Sequence, residues 1–175
     1  MKKSNLPSIH AVALSICNCG VLIRGDSNIG KTDLALELVK QGHKLIADDA
    51  VALDIHNNKI NLIATKANRQ FIYLRDIGFV NLDDLYGKKS SLNKKRLGLI
   101  IDLVKHPTHR LELEFEQLNL GPKLTIPKFS LNYNSTRPNA LIIELIVRLF
   151  KSKKSSQGFI HKQQKLLNKG AKRCN

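Results

Sequence analysis

Acidic residues, cysteines and long apolar runs are all scarce in this chain. Of its 175 residues only 14 are Asp or Glu against 29 Lys or Arg, a net charge of +15. No stretch approaches 18 consecutive apolar residues, so we expect no membrane span. Its three cysteines, Cys17, Cys19 and Cys174, form an odd set without metal-ligand spacing. We therefore expect reduced thiols and a cytoplasmic protein.

The surplus of positive charge is concentrated at the end of the chain. Residues 151–175 contain eight Lys or Arg and no acid, which is typical of a solvated tail or of a surface for an acidic partner. Because Phe159 is the single aromatic residue there, we do not expect a nucleic-acid partner that binds by base stacking. We predict a disordered N-terminus over 1–8, one domain over 9–150 and a basic tail over 151–175.

A glycine-rich octet organises the domain. Its sequence, Gly-Asp-Ser-Asn-Ile-Gly-Lys-Thr, matches the phosphate-binding loop G-x-x-x-x-G-K-[ST] at every fixed position. The eight residues are Gly25, Asp26, Ser27, Asn28, Ile29, Gly30, Lys31 and Thr32. In such a loop the backbone N–H groups surround phosphate oxygens, the lysine reaches the β- and γ-phosphates, and the threonine hydroxyl is a ligand for Mg²⁺. The octet predicts a nucleotide site.

The hydrophobic pattern around the octet indicates an α/β domain. We predict a hairpin before the loop and a helix after it, because apolar residues recur first in a run and then at helical spacing. The predicted elements are a strand over His10–Cys19 turning at 18–20 into Val21–Ile23, a helix over Thr32–Gln41, strands over Lys44–Leu53, Lys59–Ala64, Leu99–Val104, Leu111–Leu118 and Lys123–Ile126, and a helix over Leu141–Phe150.

Two adjacent acids follow the octet. Asp48 and Asp49 lie in the middle of the predicted strand Lys44–Leu53, where neighbouring side chains point to opposite faces. Only one of the two is then expected to face the phosphates. An acid pair beside a phosphate loop is the usual place for a general base or a metal ligand. We assign Asp48, together with Thr32, to the metal.

The chain resembles the catalytic domain of the HPr kinase/phosphorylase family. The residues that carry the resemblance are His10, Gly-Val-Leu-Ile at 20–23, the octet, Leu-Ala-Leu-Glu-Leu at 34–38 and Gly-His-Lys-Leu-Ile-Ala-Asp-Asp-Ala-Val at 42–51. The similarity is close over 8–55 and thinner to about 150. In size the chain is similar to the short Gram-negative members, which lack the N-terminal domain of the Gram-positive enzymes.

The resemblance implies a fold and an activity. Members have a phosphate-loop α/β domain with a mixed sheet and flanking helices, related to phosphoenolpyruvate carboxykinase, and assemble as hexamers. They use ATP and Mg²⁺ to phosphorylate a serine of HPr, the phosphocarrier of the sugar phosphotransferase system. Full-length members also remove that phosphate by phosphorolysis.

The resemblance also implies roles for individual residues. Asp49 falls on the family's base, His10 on the active-site histidine near that base, and Lys31 on the phosphate-binding lysine. Arg110 matches a catalytic arginine, and Arg137 an arginine in the segment tied to dephosphorylation.

One departure from the family keeps alternatives open. The family signature Glu-Ile-Arg-Gly-Leu-Gly corresponds to Tyr-Leu-Arg-Asp-Ile-Gly at 73–78, so Tyr73 replaces a magnesium-binding glutamate. A phenol is neutral near pH 7, whereas Mg²⁺ prefers carboxylates. From the resemblance we expect a serine kinase acting on HPr or an HPr-like carrier. Because of Tyr73 we keep two alternatives: a phosphate-loop kinase for another substrate, and a nucleotide sensor without catalysis.

Overall fold

The computed structural model describes residues 6–65, 69–105 and 114–152. Its strands are β1 (Ser8–His10), β2 (Val12–Ile16), β3 (Cys19–Gly25), β4 (Lys44–Ala47), β5 (Ala50–His56), β6 (Lys59–Ile63), β7 (Phe71–Leu74), β8 (Gly78–Asn81), β9 (Lys94–Val104), β10 (Glu116–Gly121) and β11 (Leu124–Asn132). Its helices are α1 (Lys31–Lys40), α2 (Leu82–Tyr86) and a helix over 139–152, here α3.

Strand β9 is the centre of a mixed nine-stranded sheet. One edge of β9 pairs in parallel with β3; the other pairs antiparallel with β6 near its start and in parallel with β11 near its end. The remaining order is β1-β5-β6 on one side and β3-β2-β4 on the other, with β10 outside β11, while β7 and β8 form a separate hairpin. This α/β architecture with parallel and antiparallel pairs confirms the predicted fold class.

Alternating apolar residues in the central strands supply two cores. Val21, Ile23 and Ile101 face the cluster that contains the apolar sides of α1 and α3. Leu22 and Ile100 face the opposite cluster, which contains residues of β5, β6 and β11. Because both faces of β3 and β9 are buried, these strands have continuous apolar runs instead of a polar alternation. Each buried aliphatic side chain contributes about 1.5–3 kcal/mol, which makes β3 a rigid base for the loop that follows it.

Two predicted strands are interrupted in the structure. The segment predicted as one strand over His10–Cys19 breaks at Ala11, so β1 pairs with β5 while β2 pairs with β3 and β4. The hairpin turn is at Cys17 and Asn18, both with positive φ, one residue earlier than predicted. The segment predicted as one strand over Lys44–Leu53 breaks between β4 and β5.

The predictions for the second half were closest for the longest elements. The helix predicted over Leu141–Phe150 and the strand predicted over Leu99–Val104 are both present and longer than predicted, whereas β7, β8 and α2 lie between Ala64 and Leu99, where we predicted no element. Three predicted parts lie at least partly outside the described residues: the tail beyond residue 152, the N-terminal residues 1–5, and the first three residues, 111–113, of the strand predicted over Leu111–Leu118. Among the helices in the described ranges, none combines the length and apolarity needed to cross a membrane.

Candidate active site

The glycine-rich octet lies between β3 and α1, as the sequence predicts. Gly30 caps α1 with φ 98°, and Asn28 also takes a left-handed conformation with φ 59°. Asn tolerates this region better than most residues, so the loop closes without a glycine at position 28. A Cβ at Gly30 would lie 2.5 Å from the hydroxyl of Tyr133, so a side chain at this position would have to displace Tyr133. The N–H groups at the start of α1 are thus arranged as an anion-binding terminus.

Lys31 is held inside this loop. Its side chain is buried, and Nζ donates to the carbonyl oxygens of Gly25 at 2.9 Å and Asp26 at 2.8 Å. A buried ammonium must be paired, and these two carbonyls supply the pairing within the loop itself. The positive charge therefore lies at the floor of the loop, where phosphate oxygens would bind.

The acid pair forms the bend between β4 and β5. Asp49 has φ 68°, and the N–H of Ala50 donates to the carbonyl of Asp48 at 2.8 Å. This corrects the prediction that the pair lies within a strand and faces opposite ways. Because the chain turns at this point, Asp48 and Asp49 line the same cleft as the phosphate loop.

Asp48 is the buried member of the pair. Its carboxylate oxygens accept from the Thr32 hydroxyl at 3.3 and 3.4 Å, and it also accepts from the backbone N–H of Tyr73. Burial raises the pKa of Asp48 above its ordinary value, an effect that these hydrogen bonds oppose. A buried carboxylate beside a threonine hydroxyl is a pair of hard oxygen donors, which suits Mg²⁺.

Asp49 is the exposed member and contacts His10. The distance from His10 Nδ1 to Asp49 Oδ1 is 2.7 Å, and the two side chains are 55% and 78% exposed. The contact forms because β1 pairs antiparallel with β5 and places His10 opposite Ala50, next to the bend. An acid and an imidazole in contact at the mouth of a phosphate site form an arrangement suited to proton transfer.

The β7–β8 hairpin forms the remaining wall of the cleft, which has a volume of about 690 Å³. Arg75 Nη2 donates to Asn28 Oδ1 at 3.0 Å and so connects the hairpin to the phosphate loop. The ring of Tyr73 packs edge-on against Phe79 at a centroid distance of 5.1 Å. Asp76 lies on the same wall.

The structure brings most of the predicted site residues together. His10, Asp48, Asp49, Lys31 and Thr32 all line the cleft. Arg110 lies outside the described residues, and Arg137 lies in the turn before α3, where its N–H donates to the Asn134 carbonyl at 3.0 Å.

Two contacts of the loop were not predicted. The contact of Arg75 with Asn28 could have been anticipated from the sequence, because Arg75 lies in segment 73–78, which corresponds to the family signature. The position of Tyr133 over Gly30 had no indication in the sequence, because the two residues are 103 positions apart.

A phosphate loop on a mixed sheet, with an acid pair and a histidine across one cleft, defines the chain as a nucleotide-phosphate-binding α/β domain. The family model described as HPr Serine kinase C-terminal domain matches residues 2–169. The chain belongs to this family, which confirms the resemblance found in the sequence.

The relatives agree with this assignment. An HPr kinase/phosphorylase of Caldanaerobacter subterraneus subsp. tengcongensis is 36% identical over 171 residues, which cover 93% of this chain and 54% of the relative. An HPr kinase/phosphorylase of Streptococcus pneumoniae is 32% identical over 152 residues, which cover 83% of this chain and 48% of the relative. The chain thus spans about half the length of the curated relatives it matches.

A solved structure shares the fold. It is described as the Hpr(Ser) kinase/phosphatase from Coxiella burnetii and superposes with a TM-score of 0.80 at 28% sequence identity. The match covers 89% of this chain and 97% of that chain. The mixed-sheet domain of this chain therefore has the same fold as that kinase/phosphatase.

Proposed function

We propose that this chain is an ATP- and Mg²⁺-dependent serine protein kinase domain acting on HPr or an HPr-like phosphocarrier. The observation that carries the proposal is the His10–Asp49 contact of 2.7 Å at the mouth of the cleft that the phosphate loop forms. The names of the relatives support the reaction and the substrate. The phosphorylase name extends the proposal to removal of the phosphate by inorganic phosphate.

The loop binds the nucleotide phosphates in this proposal. The N–H groups from Asn28 to Thr32 surround the phosphate oxygens, and the N-terminus of α1 favours their negative charge. Lys31 exchanges one of its two loop carbonyls for a phosphate oxygen, which keeps the ammonium paired throughout. Binding the phosphates at two fixed points aligns the γ-phosphate with the incoming hydroxyl.

Thr32 and Asp48 would hold the metal. Both present oxygen atoms to the cleft, and the Thr32 hydroxyl oxygen lies 3.3 and 3.4 Å from the two carboxylate oxygens of Asp48. Mg²⁺ supplies charge neutralisation of the phosphate oxygens when it is bound there. Asp48 would bind the metal in its ionised form, so protonation of Asp48 weakens metal binding as pH falls. Because burial raises the pKa of Asp48, this weakening begins at a higher pH than for an ordinary carboxylate.

Asp49 would act as the base. In the forward direction one carboxylate oxygen accepts the proton of the substrate serine while that hydroxyl attacks the γ-phosphorus of ATP. The bond from the γ-phosphorus to the bridging β-phosphate oxygen breaks, and ADP leaves. His10 holds Oδ1 by its contact and leaves Oδ2 for the substrate. In the reverse direction inorganic phosphate attacks the phosphorus of phosphoserine and the serine O–P bond breaks. Asp49 returns the proton to the serine oxygen, and pyrophosphate is the product.

The test is radiolabel transfer from ATP to HPr. Asp49→Asn keeps the size but accepts no proton, so transfer should fall by about 10²-fold or more while nucleotide binding is retained. Lys31→Ala should weaken nucleotide binding itself. Asp84→Asn is the matched control, because Asp84 is exposed on α2 away from the cleft, and it should transfer normally. Equal transfer by the native chain and Asp49→Asn would remove Asp49 from the mechanism.

A nucleotide sensor without catalysis is the second candidate. The observation that favours it is Tyr73, which offers a phenol packed against Phe79 where the family has a carboxylate for the metal. A sensor would bind ATP by calorimetry, show no transfer to HPr, and give the same signal with Asp49→Asn. A phosphate-loop kinase for another substrate would consume ATP only with that substrate.

We also propose a homo-oligomer, hexameric by the family resemblance, in the cytoplasm. Three leucines on one stripe of α3, namely Leu141, Leu145 and Leu149, are each 49% exposed. A stripe of half-exposed leucines is typical of a surface that another protein covers. Sedimentation of the native chain and of Leu145→Glu tests this, since the charge should dissociate an oligomer that uses the stripe.

A further inference from the structure

Three possible metal ligands meet at the end of α1 that is far from the phosphate loop. Cys17 lies in the β2–β3 turn, His43 in the link from α1 to β4, and Glu144 on α3. One ligand atom from each residue lies within 4.8 Å of the other two. Since α1 has ten residues and rises about 1.5 Å per residue, this cluster is roughly 15 Å from the nucleotide site. It plays no part in the proposed phosphoryl transfer.

The imidazole of His43 is the observation that points to a ligand. The residue is only 8% exposed, and its Nε2 is buried without a hydrogen-bond partner among the described residues. Nε2 lies 3.4 Å from Glu144 Oε2, an ion-pair contact that lacks the alignment of a hydrogen bond. A buried nitrogen without a hydrogen bond destabilises the fold, and a metal ion bound to it would remove that penalty.

The helix end holds His43 in this position. Gly42 has φ 92° and donates to the Val39 carbonyl at 2.9 Å, and the His43 N–H donates to the Leu38 carbonyl at 3.1 Å. These two bonds form the usual left-handed termination of a helix, so the direction of the chain at His43 is set by α1. The imidazole is therefore presented by backbone geometry and not by a loose loop.

Helix α3 presents the carboxylate and fixes the turn. Arg148 donates to Glu144 Oε1, with Nη2 at 2.6 Å and Nε at 2.7 Å, which leaves Oε2 facing His43. One turn further on, Lys151 Nζ donates to the Cys17 carbonyl at 2.7 Å and anchors the turn against α3.

We infer that Cys17 Sγ, His43 Nε2 and Glu144 Oε2 form a zinc-binding site. Thiolate, imidazole and carboxylate together suit Zn²⁺ better than Mg²⁺ or Ca²⁺, which take oxygen ligands alone. Tetrahedral Zn²⁺ needs its ligand atoms about 3.3–3.8 Å apart, which the His43–Glu144 pair already satisfies. Closing the remaining separations requires about 1 Å, which rotation of the partly exposed Cys17 side chain supplies. Three protein ligands leave the fourth position to water.

A bound ion would join three elements that are distant in the chain. The Lys151 contact described above joins the hairpin turn to α3, and the His43–Glu144 contact joins α3 to the end of α1. A metal that binds the folded chain and not the unfolded one stabilises the fold by mass action. The site would thus stabilise the end of the domain opposite the nucleotide cleft.

Cobalt binding tests the site through its thiolate. The native chain, reduced and free of metal, is titrated with micromolar Co²⁺, and we expect one equivalent with a sulfur-to-cobalt charge-transfer band and tetrahedral d–d bands. Cys17→Ser should lose the charge-transfer band, and Zn²⁺ should abolish it in the native chain. Cys19→Ser, in the same hairpin, and Cys174→Ser are the matched controls and should keep it. Co²⁺ bound by Asp48 and Thr32 has oxygen ligands and gives no such band.

Thermal unfolding with Zn²⁺ gives a second measurement. At Zn²⁺ a hundredfold above the dissociation constant, Tm of the native chain should rise by roughly 5–10 °C. His43→Gln and Glu144→Gln should each lose most of this rise, whereas Asp49→Asn should keep it. A charge-transfer band that survives Cys17→Ser, or the absence of the band and of any Tm rise in the native chain, would overturn the inference. Neither outcome affects the kinase proposal, which is tested at the other end of α1.

Discussion

Asp48 and Asp49 are neighbours in the chain with opposite environments. Asp48 is 6% exposed, whereas the Asp49 side chain is 78% exposed. The buried acid contacts Thr32 and the exposed one contacts His10. Two carboxylates in different surroundings can take different roles, one toward a metal and one toward a proton. The bend at Asp49 makes both roles possible within one cleft.

Asp48→Asn should exchange function for stability. Burial raises the pKa of Asp48, so the folded chain binds this proton more tightly than the unfolded chain. The contribution of Asp48 to the free energy of unfolding therefore falls as pH rises from the ordinary value of 3.8 through the folded value, and is constant above it. The variant should be more stable by about 0.5–2 kcal/mol above that window, and its gain should shrink below it.

Urea unfolding at several pH values measures this gain, without metal or nucleotide. The same variant should bind Mg²⁺–nucleotide more weakly, because an amide replaces the carboxylate. Asp54→Asn is the contrasting variant, since Lys94 lowers the pKa of Asp54 and the stabilising effect of that pair is lost as pH falls. An Asp48→Asn chain that is less stable than the native chain at neutral pH would contradict the assignment of Asp48 as a strained buried acid.

Tyr73→Glu should strengthen metal binding in a working kinase. The change restores a carboxylate on the cleft wall beside Asp48, whose carboxylate accepts from the Tyr73 backbone N–H. The Mg²⁺ concentration for half-maximal transfer to HPr should then fall by roughly tenfold, the effect of about 1.4 kcal/mol. Tyr73→Gln has the same length without the charge and should not show this fall. Equal Mg²⁺ dependence of the Glu and Gln variants would show that position 73 does not reach the metal.

At the scale of elements, a hydrogen bond from Arg75 to Asn28 attaches the β7–β8 hairpin to the phosphate loop. Arg75→Met keeps the aliphatic stem and removes the donor to Asn28 Oδ1. Without this hydrogen bond, the free energy needed to open the hairpin should fall by about 0.5–1 kcal/mol. Amide exchange in 71–81 should then be roughly two- to fivefold faster, and KM for ATP should rise. Arg69→Met, on the exposed residue just before the hairpin, is the control and should change neither quantity. Unchanged exchange in Arg75→Met would mean that the Arg75–Asn28 bond does not hold the hairpin.

At the scale of the whole molecule, the positive charge is unevenly distributed. Ending the chain at residue 152 removes seven of its 29 Lys or Arg and no acid. Within the part of the chain that the structure describes, the last core residue is Phe150, so we expect the free energy of unfolding to change by less than about 0.5 kcal/mol and ATP binding to persist. Association with an acidic protein should weaken and lose part of its salt dependence. Calorimetry and thermal unfolding of both lengths check this, and a truncated chain that fails to fold would show that the tail packs.

The sequence by itself determined the features that depend on neighbouring residues. The octet from Gly25 to Thr32 specifies its loop because its glycines and helix start act within eight positions. Leu34, Leu38 and Val39 specify the buried side of α1 for the same reason. The long apolar runs predicted β9 and α3, although not their ends, because pairing and capping contacts decide where an element stops.

Only the tertiary structure decided the features that depend on distant contacts. Asp48 and Asp49 read as strand residues until the separate pairing of β4 with β2 and of β5 with β1 forces a bend between them. The same β1–β5 pairing brings His10 to Asp49 across 39 residues of chain. Cys17, His43 and Glu144 have no metal-ligand spacing in sequence, and they meet because the hairpin, α1 and α3 pack on one face of the sheet. Side chains from remote segments converge only when a sheet sets their order, and no local pattern encodes that order.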